Sequence, residues 1–135
     1  MAQEMRSPIE SGCPDGFQYM HPVMRKNYGQ WAYHEDPQPG VLVHVAKSGD
    51  KIWTVRAGTQ RILDVFTLRT LCDIGDKYGE GYVHFTIRSN IEYQVADEAK
   101  VEPLIKALRD AGFIVGGTRN SVAMMSHTQG WLHCD

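Results

Sequence analysis

The sequence has no C-x-x-C pair, and its three cysteines, Cys13, Cys72 and Cys134, lie far apart. A closed zinc or iron–sulfur site takes several thiolates or imidazoles, so sequence neighbours here cannot complete one. The odd cysteine count and the lack of an apolar segment behind Met1 point to a reduced, cytoplasmic setting, where a cysteine is a small buried hydrophobe or a metal or redox residue. No apolar run approaches the roughly 20 residues that cross a bilayer, so membrane insertion is not expected. A surplus of one charge is missing too. The formal net charge of -2 gives no general attraction to nucleic acid or to an anionic membrane, and any anion site must be built locally. What is present, 135 residues at 42% hydrophobic content, suffices for one domain with a modest core.

Residues 1–49 carry Pro8, Pro14, Pro22, Pro37 and Pro39 among Phe17, Tyr19, Tyr28, Trp31 and Tyr33, with neither a helical nor a strand period. Proline blocks regular structure while aromatics need burial, so this stretch reads as an extended arm lying on another surface. A disordered tail is the alternative.

Residues 50–126 read as a β-α-β-β-α-β unit. Lys51 to Arg56 alternates and is a strand. Leu68, Leu71, Cys72 and Tyr78 mark a helix face, with Thr67 or Asp64 as N-cap, Gly79 as stop and Cys72 as a core residue. Tyr82 to Arg88 and Ile91 to Val95 alternate around a Ser89-Asn90 turn and form a hairpin. Val101, Leu104, Ile105 and Leu108 mark a second helix that begins near Glu102, because Pro103 is tolerated only in a first turn, and ends before Gly112. Val122 to Met125 supplies a fourth strand. The order is that of an α+β ferredoxin-like sandwich, with two helices on one face of an antiparallel sheet and the other face open.

Strand alternation places Tyr82, His84, Thr86 and Arg88, with Thr54, Arg56, Glu92 and Gln94, on that open face, and Arg119 at its edge. Arg56, Arg88 and Arg119 suit carboxylates or an oxyanion, since each guanidinium stays charged and offers a planar fork of donors. Taken alone, a strand arginine is more often a solvated surface residue or the partner of a carboxylate such as Glu92.

The sequence ends on His127-Thr128-Gln129-Gly130-Trp131-Leu132-His133-Cys134-Asp135, a thiol and two imidazoles in one short stretch. That stretch, with Ser11-Gly12-Cys13-Pro14-Asp15, Met20-His21-Pro22-Val23-Met24, Asn27-Tyr28-Gly29-Gln30-Trp31, Pro39 to Val45 and Thr54-Val55-Arg56, resembles the amino-terminal part of dissimilatory sulfite reductase beta subunits. These are siroheme and iron–sulfur proteins, and the resemblance covers nearly the whole chain. In that family the polypeptide continues through a further cysteine cluster, so residues 127–135 are expected to begin a cofactor-binding domain of which this chain holds only the start.

The resemblance implies roles that composition does not. Thr86 and Arg88 would bind siroheme carboxylates, Arg56 and Arg119 would face sulfite, and Cys134 would be one ligand of a [4Fe-4S] cluster. His127 and His133 would serve loop packing or cofactor contacts. The amino-terminal arm would pack on the alpha subunit of an α2β2 heterotetramer, which also meets a small sulfur-carrier subunit. The chain alone would be inactive. Two other classes share the element order: RNA-recognition modules, faintly echoed by Gly81-Tyr82-Val83-His84-Phe85, and small-molecule regulatory domains.

Overall fold

The computed structural model describes residues 16–59 and 63–118. Its centre is a five-stranded antiparallel sheet of β1 (Trp31–Gln38), β2 (Val41–Ala46), β3 (Lys51–Gly58), β4 (Tyr82–Phe85) and β5 (Asn90–Val95), in the spatial order β1-β2-β3-β5-β4. A short helix α1 (Pro22–Lys26) precedes it; α2 (Val65–Tyr78) and α3 (Val101–Asp110) pack on one face.

Local signals account for the helix bounds. The Asp64 carboxylate accepts from the Thr67 backbone N–H at 2.6 Å, which satisfies one of the orphan donors of the first turn of α2, and the helix stops at Gly79. Pro103 is the third residue of α3, and a 3₁₀ turn at Glu98–Lys100 leads into it. Gly112, at φ 87°, closes α3: its N–H bonds Arg109 O and Phe113 N–H bonds Leu108 O, a Schellman arrangement that only a residue tolerant of positive φ completes cheaply.

Val41, Val55 and Tyr93 lie side by side on adjacent strands, as do Val43, Trp53 and Val95, and these rows meet Leu71 and Ile74 of α2 and Leu104, Ile105 and Leu108 of α3. Burying each such leucine stabilises the fold by about 2 kcal/mol. Tyr93 is fully enclosed, its hydroxyl donating to Leu71 O at 3.0 Å, and burial pushes its pKa far up.

The structure corrects several sequence expectations. The arm does not run to residue 49: Trp31–Ala46 folds into the β1–β2 hairpin, and β2 pairs with β3 from Val41↔Val55 to Val45↔Lys51. Proline did not prevent this because Pro37 sits on the edge strand, whose outward N–H groups need no partner, at a shift in register between Glu35 and Gln38. That side of β3 is lined by β2 and, beyond its end, by residues 114–116, where Gly58 N–H bonds Ile114 O and Gly116 N–H bonds Arg56 O. Val122–Met125 lies outside the described residues.

Cys72 is exposed, not core: of the expected stripe Leu71 and Tyr78 face inward, while Leu68 and Cys72 do not, and Ile74 and Gly75 complete the buried face of α2. Nor does the hairpin strand reach Arg88. It ends at Phe85, and Thr86 to Ser89 form the turn, with Ser89 at φ 60° and Thr86 Oγ1 accepting from Asn90 N–H. Ile87, at 94% exposure, points to solvent rather than to the helices.

The second sheet face is partly covered as well. His21 caps α1, its Nδ1 accepting from Val23 N–H, so its proton sits on Nε2 and is donated to Glu80 at 2.7 Å, while its ring meets Tyr82 edge-on at 4.8 Å. At the other end of α1, Lys26, Asn27 and Ser48 hold the Asp50 carboxyl down to about 2 by hydrogen bonding. Among the described residues no helix is long and apolar enough to cross a membrane.

Candidate functional site

The face opposite α2 and α3 carries a polar row. Antiparallel pairing sets Thr54 against Gln94 and Arg56 against Glu92 across β3 and β5, and then Tyr82 against Gln94 and His84 against Glu92 across β5 and β4. Directly opposed residues share a face, so register alone delivers Arg56, Glu92 and His84 to one line.

Their bonds are specific. Arg56 donates from Nε at 2.8 Å and from Nη2 at 2.6 Å to Glu92 Oε2, and from Nη1 at 2.9 Å to the Gly117 carbonyl. Arg88 donates from Nη2 to the same carbonyl at 2.7 Å. Gln94 donates to His84 Nδ1 at 3.1 Å, which leaves the His84 proton on Nε2, 3.3 Å from Glu92 Oε1. The arrangement brings two guanidinium groups to one carbonyl oxygen, with the enclosed Glu92 carboxylate on the Arg56 side. Its local balance is positive, which favours an anion.

Two further polar atoms on this face are buried without a hydrogen-bond partner among the described residues, Thr54 Oγ1 and Asn90 Nδ2. Leaving a buried donor or acceptor unmade costs about 1–3 kcal/mol, so such atoms mark where a ligand or a further chain segment completes the surface. Orphaned donors beside paired guanidinium groups fit a cofactor whose edge carries carboxylates.

His44 of β2 lies on the same face farther along the sheet, opposite Ile52 of β3, with its ring 6.2 Å from that of His34. Burial lowers its pKa below the ordinary 6.5; Glu92 opposes the shift, and the positive neighbours His34 and Arg56 add to it. The unfolded chain therefore binds the proton better than the folded one. The stability contributed is complete above the ordinary value and is lost as pH falls through it toward the lowered folded value. The thermal midpoint should drop between about pH 7.5 and about pH 6, and His44→Phe should flatten that slope in a calorimetric series.

The structure thus places five of the sequence candidates and corrects their setting. Arg56 has both its expected surroundings, the polar face and the Glu92 carboxylate. Arg88 reaches the site from a turn, not from a strand face, and the Thr86 hydroxyl closes that turn by accepting from Asn90 N–H. Glu92 and Gln94 lie where alternation put them, yet buried rather than open. Sequence reasoning missed His44 and the Gly117 carbonyl; the alternation of Val41, Val43 and Val45 would have pointed to the first, and nothing local points to the second. Arg119, Cys134, His127 and His133 lie outside the described residues. Among the described residues there is no group of three or more His, Cys, Asp or Glu able to hold a metal ion.

The family model for the nitrite/sulfite reductase ferredoxin-like half domain matches residues 44–111. The chain is 49% identical over 122 residues to the sulfite reductase, dissimilatory-type subunit beta, of Archaeoglobus fulgidus, covering 85% of this chain and 33% of that protein. It is 48% identical over 124 residues to the same subunit of Nitratidesulfovibrio vulgaris, covering 87% and 32%. Against the Megalodesulfovibrio gigas subunit the identity is 40% over 141 residues, covering 98% and 54%. The chain thus spans between about a third and about half of the length of these relatives. The RNA-recognition and regulatory readings have no support of this kind.

Proposed function

Since the chain belongs to the nitrite/sulfite reductase ferredoxin-like half-domain family, we propose that it is part of a dissimilatory-type sulfite reductase β subunit and that its polar sheet face walls the site for an anionic cofactor and for sulfite. The observation that carries this reading is the convergence of Arg56 and Arg88 on the Gly117 carbonyl, with the enclosed Glu92 carboxylate bound to Arg56. Two cations held beside one acceptor keep unspent donors for oxygen atoms of a ligand.

In this reading Arg88 and Thr86 hold siroheme carboxylates from the turn between β4 and β5, and Arg56 with Arg119 faces sulfite. Siroheme and a [4Fe-4S] cluster, to which Cys134 would give one thiolate, would relay electrons from an external donor when bound. The chain's own residues bind, orient and neutralise. Fixed guanidinium groups attract a small dianion and hold oxygen atoms as charge shifts during their departure as water, at no reorganisation cost. The reaction runs toward sulfide or in reverse.

Activity on this reading belongs to an assembled cytoplasmic α2β2 enzyme that works with a small sulfur-carrier subunit. The exposed aromatics Phe17, Tyr19, Tyr28 and Tyr33 of the amino-terminal segment are the surface offered to the alpha subunit. The test is cofactor content: in the assembled reductase carrying this sequence, Arg88→Ala should lower siroheme per β subunit about tenfold, the order of one lost charge-assisted pair. Unchanged siroheme absorbance with unchanged sulfite kinetics would remove Arg88 from the site.

A further inference from the structure

We propose that Glu92 is a positioning residue of the anion site: its carboxylate grips the inner edge of the Arg56 guanidinium so that the outer Nη edge is presented, beside Arg88, to an oxyanion. This role rests on the reading of the face as an anion site.

The geometry is one-sided. Both bonds from Arg56 to Glu92 use Nε and Nη2 and end on a single oxygen, Oε2, while the other oxygen faces His84. A fork bound on that edge keeps Nη1, now on Gly117 O, as the arm nearest Arg88. The carboxylate side chain is 7% exposed and the guanidinium 18%, so water competes little and the orientation is held rather than sampled. A flexible arginine would lose side-chain entropy each time it met a ligand. One already fixed by Glu92 has lost it on folding.

A carboxylate beside an anion site also repels the anion, and that opposition separates positioning from mere support. In the assembled reductase Glu92→Gln keeps an acceptor for the Arg56 fork but removes the negative charge. It should lower the sulfite KM severalfold while lowering kcat about tenfold, because the ground state gains attraction and the reacting geometry loosens. Glu92→Ala, which releases the fork, should lower kcat further and raise KM. A supporting role alone would change the folded fraction and leave KM per folded enzyme untouched in both variants, which would overturn the proposal.

A second measurement avoids both turnover and cofactor. In the 135-residue chain, the Arg56 Nε–H resonance should exchange with water at least tenfold more slowly than that of exposed Arg25, on the principle that bonded, enclosed protons exchange only on opening. Protection should survive in Glu92→Gln and vanish in Glu92→Ala. An Arg56 proton that exchanges as fast as Arg25, or that is indifferent to Glu92→Ala, would refute the tether. Should the tether hold while the assembled enzyme shows no sulfite turnover at all, the functional reading fails and the positioning of Arg56 does not.

Discussion

Arg56→Ala should cost the assembled enzyme both activity and stability, and the two losses have different origins. Sulfite turnover should fall by roughly a hundredfold or more, the effect of removing one preorganised donor worth about 2–4 kcal/mol from developing charge. Stability should fall by about 3 kcal/mol, because the enclosed Glu92 carboxylate loses its partner and stands uncompensated in a poorly solvated place. The double change Arg56→Met with Glu92→Leu separates them. Two apolar groups of similar volume remove both charges, so the denaturation midpoint should recover most of the loss while turnover stays low. Turnover that recovered with stability would mean that Arg56 serves the fold and not sulfite.

Gly40→Ala should be the most damaging exchange of one small residue for another. Gly40, between β1 and β2, sits at φ 84°, where an L side chain is strained, and a Cβ there would lie 2.6 Å from Gly116 N and 2.7 Å from Val115 Cγ1. The first of these is backbone and cannot swing aside. The conformational term alone is about 1–2 kcal/mol, and with the clash a loss of roughly 3 kcal/mol is expected in urea denaturation. The damage should reach the site, because Gly40 N–H bonds Thr118 Oγ1 at 3.1 Å and so holds the segment whose Gly117 carbonyl joins Arg56 to Arg88. Gly116→Ala is the control: nothing lies within 4 Å of a Cβ built there. A change within about 0.5 kcal/mol is expected for it, as for ordinary substitutions without a named mechanism. Equal losses in the two variants would disprove the crossing-strand account.

Elements whose signals are local were legible without a structure. The Asp64 cap, the stop at Gly79, the placement of Pro103 and the glycine closure at Gly112 depend on residues within one or two turns, so the order and bounds of α2, α3, β3 and β5 follow from spacing. Alternation along single strands likewise sorted Arg56, Glu92, Gln94 and His84 onto one face.

Questions of which distant segment lies beside which were settled only by the tertiary structure. Trp31–Ala46 looked irregular because its prolines were weighed without knowing that β1 would be an edge strand, where a missing donor costs nothing. Once β2 fills the place beside β3, the core gains Val41, Val43 and Val45, and the polar face gains His44. Cys72 also escaped local reading, since it is as apolar as its neighbour Leu71 and only packing of the whole helix on the sheet decides that Leu71 turns inward and Cys72 outward. Thr86 and Arg88 moved from strand to turn for a similar reason: the bonds that close the hairpin, Ser89 N–H to Thr86 O and Thr86 N–H to Asn90 O, shorten β4 in favour of the loop that aims Arg88. The convergence of Arg56 and Arg88 on Gly117 joins residues up to 61 positions apart, and no local pattern encodes a contact of that range. Sequence thus determined which side chains were available to an anion, because period and capping are local. Register and chain crossing decided which of them meet, because those are properties of the whole sheet.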